Sequence, residues 1–134
     1  MIAPRIPALS SAVCPSRSMF RLIGDRWTLL ALLQLEQGMR RFADIRRGLG
    51  TISAKVLAEK LRRLEENGIV RRRVYDQSPP RVEYRLTALG KELAQHVSRL
   101  DHWTVQNAER IERSRRTFSR SQRSRTPWQI PRPW

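Results

Sequence analysis

Leu57, Leu61 and Leu64 recur at spacings of four and three in a segment whose remaining positions are mostly polar or charged. That period predicts an amphipathic helix from Ser53 to Asn67, with the leucines turned inward and Lys55, Glu59, Lys60, Arg62 and Arg63 turned outward. Ser53 suits its N-cap, Ile52 can close over Leu57 as a staple, and Asn67-Gly68 suits a left-handed stop. The pattern upstream is different. Between a capping Asp25 and Glu36, the residues Trp27, Leu29, Leu30, Leu32, Leu33 and Leu35 leave almost no polar side, so this helix belongs in the centre of a core. An earlier helix is expected from Pro15, a harmless residue in a first turn, with Met19, Phe20, Leu22 and Ile23 giving apolar contacts before Gly24. Met39 to Arg41 reads as a very short strand. Phe42, Ile45 and Leu49 then mark a short helix from Phe42 to about Arg47, and Gly48-Leu49-Gly50-Thr51 reads as a turn.

Past Gly68 the chain reads as a hairpin. Ile69 to Tyr75 is predicted as a strand, Asp76 to Pro80 as a turn, and Val82 to Leu86 as the returning strand. Thr87 caps a last helix whose Leu89, Leu93, Val97, Leu100, Trp103 and Ile111 form one broad stripe, longer than so small a domain covers by itself. Part of that stripe is therefore expected to meet a second subunit. Beyond about Arg113 the residues are Ser, Arg, Thr, Gln and Pro, with Trp128 and Trp134 isolated among them. Such a segment buries too little apolar surface to offset its ordering entropy, which predicts a disordered basic tail. The expected organisation is an irregular arm over 1–13, one domain over 14–113 and the tail over 114–134, with no internal repeats.

Two short helices joined by a Gly-rich turn and followed by a β-hairpin make a winged helix-turn-helix, a mainly α (α+β) fold. Phe42 to Arg47 would support and Ser53 to Asn67 would recognise. The charge agrees with this. The 134 residues carry 27 Lys+Arg against 12 Asp+Glu, a formal net charge of +15, and a surface this basic attracts polyanions through counterion release. Charge alone leaves DNA, RNA and anionic membrane open.

Other classes fare less well. No P-loop, Gly-rich dinucleotide turn, nucleophile elbow or HExxH occurs, and the carboxylates are scattered among arginines, so neither an enzyme nor a cofactor is expected. His96 and His102 lie six apart, which does not place them on one helical face, and no metal site is expected. With Cys14 the single cysteine, an intramolecular disulfide is excluded and the cytoplasm is the default location. The start MIAPRIPALSSAVC has small residues before its cysteine, but Pro4 and Pro7 interrupt it and its apolar run is far shorter than the roughly 7 to 15 residues of a signal peptide. No later run is long enough to span a bilayer, so no membrane partner is expected.

The stretch CPSRSMFRLIGDRWTLLALLQLEQGMRRFADIRRGLGTISAKVLAEKLRRLEENGIVRRRVYDQSPPRVEYRLTALGKEL resembles the HxlR-type group of MarR-like transcriptional regulators. The most diagnostic pieces are the N-terminal Cys-Pro, IGDRWTLLAL, RRFADIRR, the I-S-x-K-x-L run at Ile52 to Leu57, and PPRVEYRLTALG, and the match covers about Cys14 to Trp103. The resemblance implies a homodimer whose terminal helices pair, with Phe20, Leu93, Val97, Leu100 and Trp103 as expected contacts, and whose two recognition helices read a pseudo-palindromic operator in double-stranded DNA. It implies DNA contacts at Ser53, Lys55, Lys60 and Arg63, at Arg81 on the wing, and at Arg40 or Arg41 beside the supporting helix. Ala58 departs from the polar residue that relatives often carry. Repression by competition with polymerase is the first expectation and activation the second.

Several of these positions have a plainer reading. The charges on the recognition helix also suit a solvated face, with Glu59 four residues before Arg63. Arg71, Arg72, Arg73, Arg81 and Arg85 decorate the hairpin, and alternation must turn some of them toward the helices, where Glu65 or Glu66 can pair with them. Pro79-Pro80 either stiffens the tip for docking or simply turns the chain. In some relatives the cysteine before the proline senses oxidants or electrophiles, and Cys14 at a helix start near Arg17 suits a thiolate; otherwise it is a packed apolar residue. Trp27 and Trp103 read as core and dimer contacts rather than stackers of a small-molecule effector. The competing function is a basic RNA-binding or nucleoid-associated protein that ignores sequence.

Overall fold

The computed structural model describes residues 14–124; the expected N-terminal arm and the last ten residues of the expected tail, with Trp128 and Trp134, lie outside them. The Asp25 carboxylate accepts from the Thr28 N–H at 3.1 Å and from the Thr28 hydroxyl at 2.9 Å. These bonds start α2 (Arg26–Glu36), which follows α1 (Pro15–Ile23). In α2, Ala31, Leu32 and Leu35 are fully enclosed, with Trp27, Leu29 and Leu33 packed against the same core, so the helix is as central as its composition requires. Next come β1 (Arg40–Arg41), α3 (Phe42–Leu49), α4 (Ala54–Glu66), β2 (Val70–Tyr75), β3 (Arg81–Leu86) and α5 (Ala88–Arg123). Five helices and a small antiparallel sheet make the winged helix-turn-helix.

The leucine period of α4 does what it predicts. Leu57, Leu61 and Leu64 are fully buried beside Ile45, Leu49 and Ile52, and each such side chain contributes about 1.5–3 kcal/mol by leaving water. At the other end the Ile69 N–H reaches the Leu64 carbonyl at 2.9 Å and the Gly68 N–H the Glu65 carbonyl at 3.0 Å. This double bond pattern needs a left-handed residue, and Gly68 supplies it at φ 71°.

The strand order is β1-β3-β2, all antiparallel. Val70 pairs with Leu86, Arg72 with Tyr84 and Val74 with Val82, while Arg71, Arg73 and Tyr75 pair with Arg85, Glu83 and Arg81. Alternation therefore gives the sheet a face with Tyr84 and Leu86 in the core and an outer face bearing Arg41, Arg71, Arg73, Arg81 and Arg85 around Glu83.

Three expectations change. Helix α3 runs on to Leu49, past the boundary expected near Arg47, because Leu49 is a core anchor that must keep helical phase with Ile45. Val97, expected at a dimer contact, is only 6% exposed and packs in the protomer's own core with Ala94; Leu93 is half-buried against that core.

The third change is in the tail. The expected boundary at Arg113 is passed, and α5 continues to Arg123. No glycine or proline lies between Arg113 and Arg123, arginine is a good helix former, Arg113 pairs with Glu109 at 3.0 Å, and the Ser114 and Ser121 hydroxyls donate to the carbonyls of Arg110 and Phe118. A helix supported by local bonds does not need the apolar burial that the composition lacks.

The chain divides into two compact units between Ser98 and Arg99, inside α5. The first holds the whole core. In the second, Leu100 and Trp103 are 53% and 55% exposed, and Val105 and Phe118 are more exposed still.

Candidate nucleic-acid interface

The turn between α3 and α4 is held from three directions. Ile45, Leu49 and Ile52 anchor it in the core. Arg46 Nε donates to the Ile52 carbonyl at 3.3 Å, and Gln34 Nε2 from α2 donates to the Ile45 carbonyl at 3.4 Å. Ser53 then caps α4, its Oγ accepting from the Val56 N–H at 3.2 Å. With the start of α4 fixed, the exposed surface of the helix carries Ala54, Lys55, Val56, Ala58, Glu59, Arg62 and Arg63.

The residues expected to touch DNA are placed unequally. Ser53 and Lys55 stand together at the amino end, where uncapped N–H groups and the helix dipole favour an anion. Lys55 is exposed and has no ion pair among the described residues. Lys60, expected on the outward face, lies 3.1 Å from Asp25 Oδ2, with side chains 25% and 30% exposed. It sits beside the buried stripe, three residues after Leu57 and four before Leu64, so its long stem folds back and ties α4 to the cap of α2. Arg63 pairs with Glu59 at 3.2 Å, the intrahelical bond that the spacing allows, and Arg62 with Glu66 at 2.7 Å. Such exposed pairs contribute about 0–1 kcal/mol and yield readily to a phosphate.

Arg40 is half-exposed and donates to Gln37 Oε1 at 2.9 Å, while Arg41 is exposed on the outer sheet face. Arg81, expected to contact DNA on the wing, is bonded to the buried Glu83 and lies over the Tyr75 ring at 5.1 Å, beside Arg73 at 4.7 Å. Positions two apart in a strand share a face, which brings Arg81 to Glu83 rather than to solvent. Arg72 turns to the other face and meets Tyr84, near Glu65, as expected for part of this set.

Three residues were not singled out from sequence. Arg46 fixes the helix-turn-helix turn. Arg47, 78% exposed, pairs with Asp44 at the end of α3. Val56 is 41% exposed on the recognition helix. The signals were available, as an arginine doublet before Gly48 and a valine off the leucine stripe. Cys14 is 3% exposed and Phe20 60% exposed. Among the described residues no cluster of His, Cys, Asp or Glu is arranged to hold a metal, and no helix is long and apolar enough to cross a membrane.

Two carboxylates tie this frame together. Burial works against the charge of Asp25, but the Thr28 N–H and hydroxyl and Lys60 outweigh it and hold the carboxyl below its usual value. Burial likewise opposes charge on Glu83, and the Tyr75 hydroxyl, Arg81 and the nearby Arg41 outweigh it. A carboxylate depressed on folding stabilises the protein above its unfolded pKa, about 4, and loses that contribution as pH falls through the folded value. Urea midpoints are accordingly expected to fall between pH 5 and pH 3, and to fall less in Asp25→Asn than in wild type. An identical acid slope would remove Asp25 from this role.

Residues 22–112 match the family model described as HxlR-like helix-turn-helix. The HTH-type transcriptional regulator YtfH of Escherichia coli is 42% identical over 94 residues, which span 70% of this chain and 75% of that protein. The solved structure of the transcriptional regulator ytfH from Salmonella typhimurium superposes with a TM-score of 0.76 at 38% identity, covering 81% of this chain and 97% of that one. The redox regulator HypR in its reduced form gives a TM-score of 0.68 at 36% identity over 73% of this chain and 97% of that one. With its supporting and recognition helices, its arginine-edged wing and a family match across the whole helix-turn-helix, the chain belongs to the HxlR-like helix-turn-helix family of DNA-binding transcriptional regulators.

Proposed function

We propose that the protein acts in the cytoplasm as a homodimer that reads a pseudo-palindromic operator in double-stranded DNA and represses by competing with polymerase. The observation that carries this reading is the amino end of α4, where an unpaired Lys55 and a capping Ser53 stand beside exposed Val56 and Ala58. Lys55 reaches a phosphate or a guanine edge, and Val56 offers an apolar contact to a thymine methyl. Arg62 and Arg63, and Arg47 across the turn, exchange their surface carboxylates for backbone phosphates, while Lys60 acts as a positioning residue through Asp25. Each of these cations that neutralises a phosphate releases condensed counterions, which makes binding salt-sensitive.

Lys55→Ala is expected to weaken operator binding about tenfold and to lower the salt slope by about 1 if its contact is a phosphate. Val56→Ala is expected to relax base preference with the slope unchanged. Salt-dependent gel-shift titrations measure both, and wild-type curves for both variants would overturn this placement of the helix. Selection from random duplexes separates the regulator from a sequence-indifferent RNA-binding or nucleoid protein, since only the regulator enriches two inverted half-sites.

The similarity to a redox regulator supports a thiol-reactive signal at Cys14. That thiol is enclosed where α1 begins, so an oxidant or electrophile reaches it when the first turn opens. Three outcomes are open to a lone thiol: oxidation to a sulfur oxyacid, alkylation by an electrophile, or a bridge between subunits. Cys14→Ser is expected to keep its operator complex under oxidant while wild type releases it, and equal release by both would exclude the cysteine.

A further inference from the structure

The outer face of the sheet carries five arginines against one carboxylate, and that carboxylate is already engaged: Glu83 accepts from Tyr75 Oη at 3.0 Å and from Arg81. Arg71 and Arg85 are directly opposite each other on β2 and β3. Both are exposed, and neither has an ion pair among the described residues. Like charges opposed across a strand pair are destabilising, so the free protein bears a cost that an anion between them would relieve. There is space for one. Arg71, Arg73 and Arg85 line a cavity of about 260 Å³ with Tyr75, Glu83 and Met39. A second cavity of about 520 Å³ shares Met39 and Arg85 and adds Lys91, Gln95, one carboxylate, Glu36, and the apolar surface of Leu35 and Leu86.

From this we infer a binding site at the base of the wing for a free, multiply charged small oxyanion of the phosphate-ester class, held by Arg71 and Arg85 with Arg73 at its edge. Guanidinium forks bind such oxygens bidentately, and the second cavity has room for the body of the molecule. The position argues against the operator as the source of the phosphate. The Arg71–Arg85 pair is four residues along the hairpin from the Tyr75–Arg81 pair at the tip, about 13 Å at strand rise. The site is also placed to affect DNA binding, because Met39 precedes β1, β1 pairs with β3, and α3 begins at the next residue.

The test is a titration of the full chain with inorganic pyrophosphate at constant ionic strength, followed by the thermal midpoint. Wild type is expected to show a saturable rise. Arg71→Gln/Arg85→Gln is expected to melt above wild type without ligand, since the opposed charges are gone, and to show no rise with it. A flat wild-type titration, or a rise that survives in the double variant, overturns the site. Should the double variant not fold, Arg85→Lys keeps the charge but loses the fork and is expected to need several-fold more pyrophosphate; unchanged affinity overturns the assignment equally. Operator binding provides the other arm. An unchanged salt slope in the double variant is expected, and a slope reduced by about 2 would give these arginines to DNA phosphates and overturn a free ligand.

Discussion

Gly90→Ala is expected to cost more than about 3 kcal/mol of stability, a larger loss than a typical overpacked core position shows. A β-carbon at Gly90 would lie 1.9 Å from the Ile69 carbonyl oxygen, 2.9 Å from its carbon and 3.2 Å from a Leu86 methyl. Two of those atoms are backbone and have little freedom to yield. The Ile69 oxygen accepts from the Thr87 N–H at 3.0 Å, the Thr87 hydroxyl donates to the Gly68 carbonyl at 2.5 Å, and Thr87 Oγ1 accepts from the Gly90 N–H at 3.0 Å. Moving the helix to admit a methyl would break the junction that joins the end of α4, the start of the wing and the start of α5. For a domain of this size the loss corresponds to a fall of about 12–20 °C in thermal midpoint. Leu89→Ala, at an exposed neighbour, is the control and is expected to stay within about 1 kcal/mol. Equal midpoints for Gly90→Ala and wild type would mean that helix and strand are not packed this closely.

The second large effect concerns assembly. Leu100, Trp103, Asn107, Ile111 and Phe118 recur at spacings of three, four, four and seven in α5, with Leu100, Trp103 and Phe118 strongly exposed. A stripe of that kind marks a protein–protein surface, and a second copy of the helix supplies a matching one. On the proposed homodimer, Leu100→Asp/Trp103→Asp is expected to produce a folded monomer whose operator affinity is about 100-fold or more below wild type, because a second half-site would no longer bind at the effective concentration that a dimer provides. Sedimentation equilibrium and gel shifts read the two parts separately. A variant that remains dimeric with native affinity would move the interface elsewhere. Val97→Asp makes the contrast, since it places a charge in the protomer's own core and is expected to unfold it.

Much of this architecture is legible residue by residue. The ends of α4 follow from Ser53, the leucine period and Asn67-Gly68, and the start of α2 follows from Asp25. Each of these signals acts within four or five residues. A side chain that takes a distant partner leaves no such local signal. Nothing local marks Lys60 as the partner of Asp25, thirty-five residues earlier, because on the helical wheel it stands at the border between the leucine stripe and the charged face. Arg81 follows the Pro-Pro tip in sequence, and only β-pairing brings Tyr75 beside it and sets it against the buried Glu83.

The continuation of α5 through Ser114 to Arg123 was obscured for a different reason. Composition measures the apolar surface available for a core, whereas this segment is supported by its own backbone ladder, its ion pairs and its serine bonds. The stripe on α5 shows both sides of the problem. Its period was plain, yet the same period runs through Val97, which is covered, and Leu100, which is not.

Periodicity, caps and glycine stops thus determined the helices and the hairpin, because the hydrogen bonds and steric limits behind them are closed within a turn or two of chain. Which arginines are paired, which apolar residues remain uncovered, and that Arg71 and Arg85 face each other were decided only by tertiary structure. Those are energies of proximity, and the proximity arises when segments far apart in sequence pack around one core.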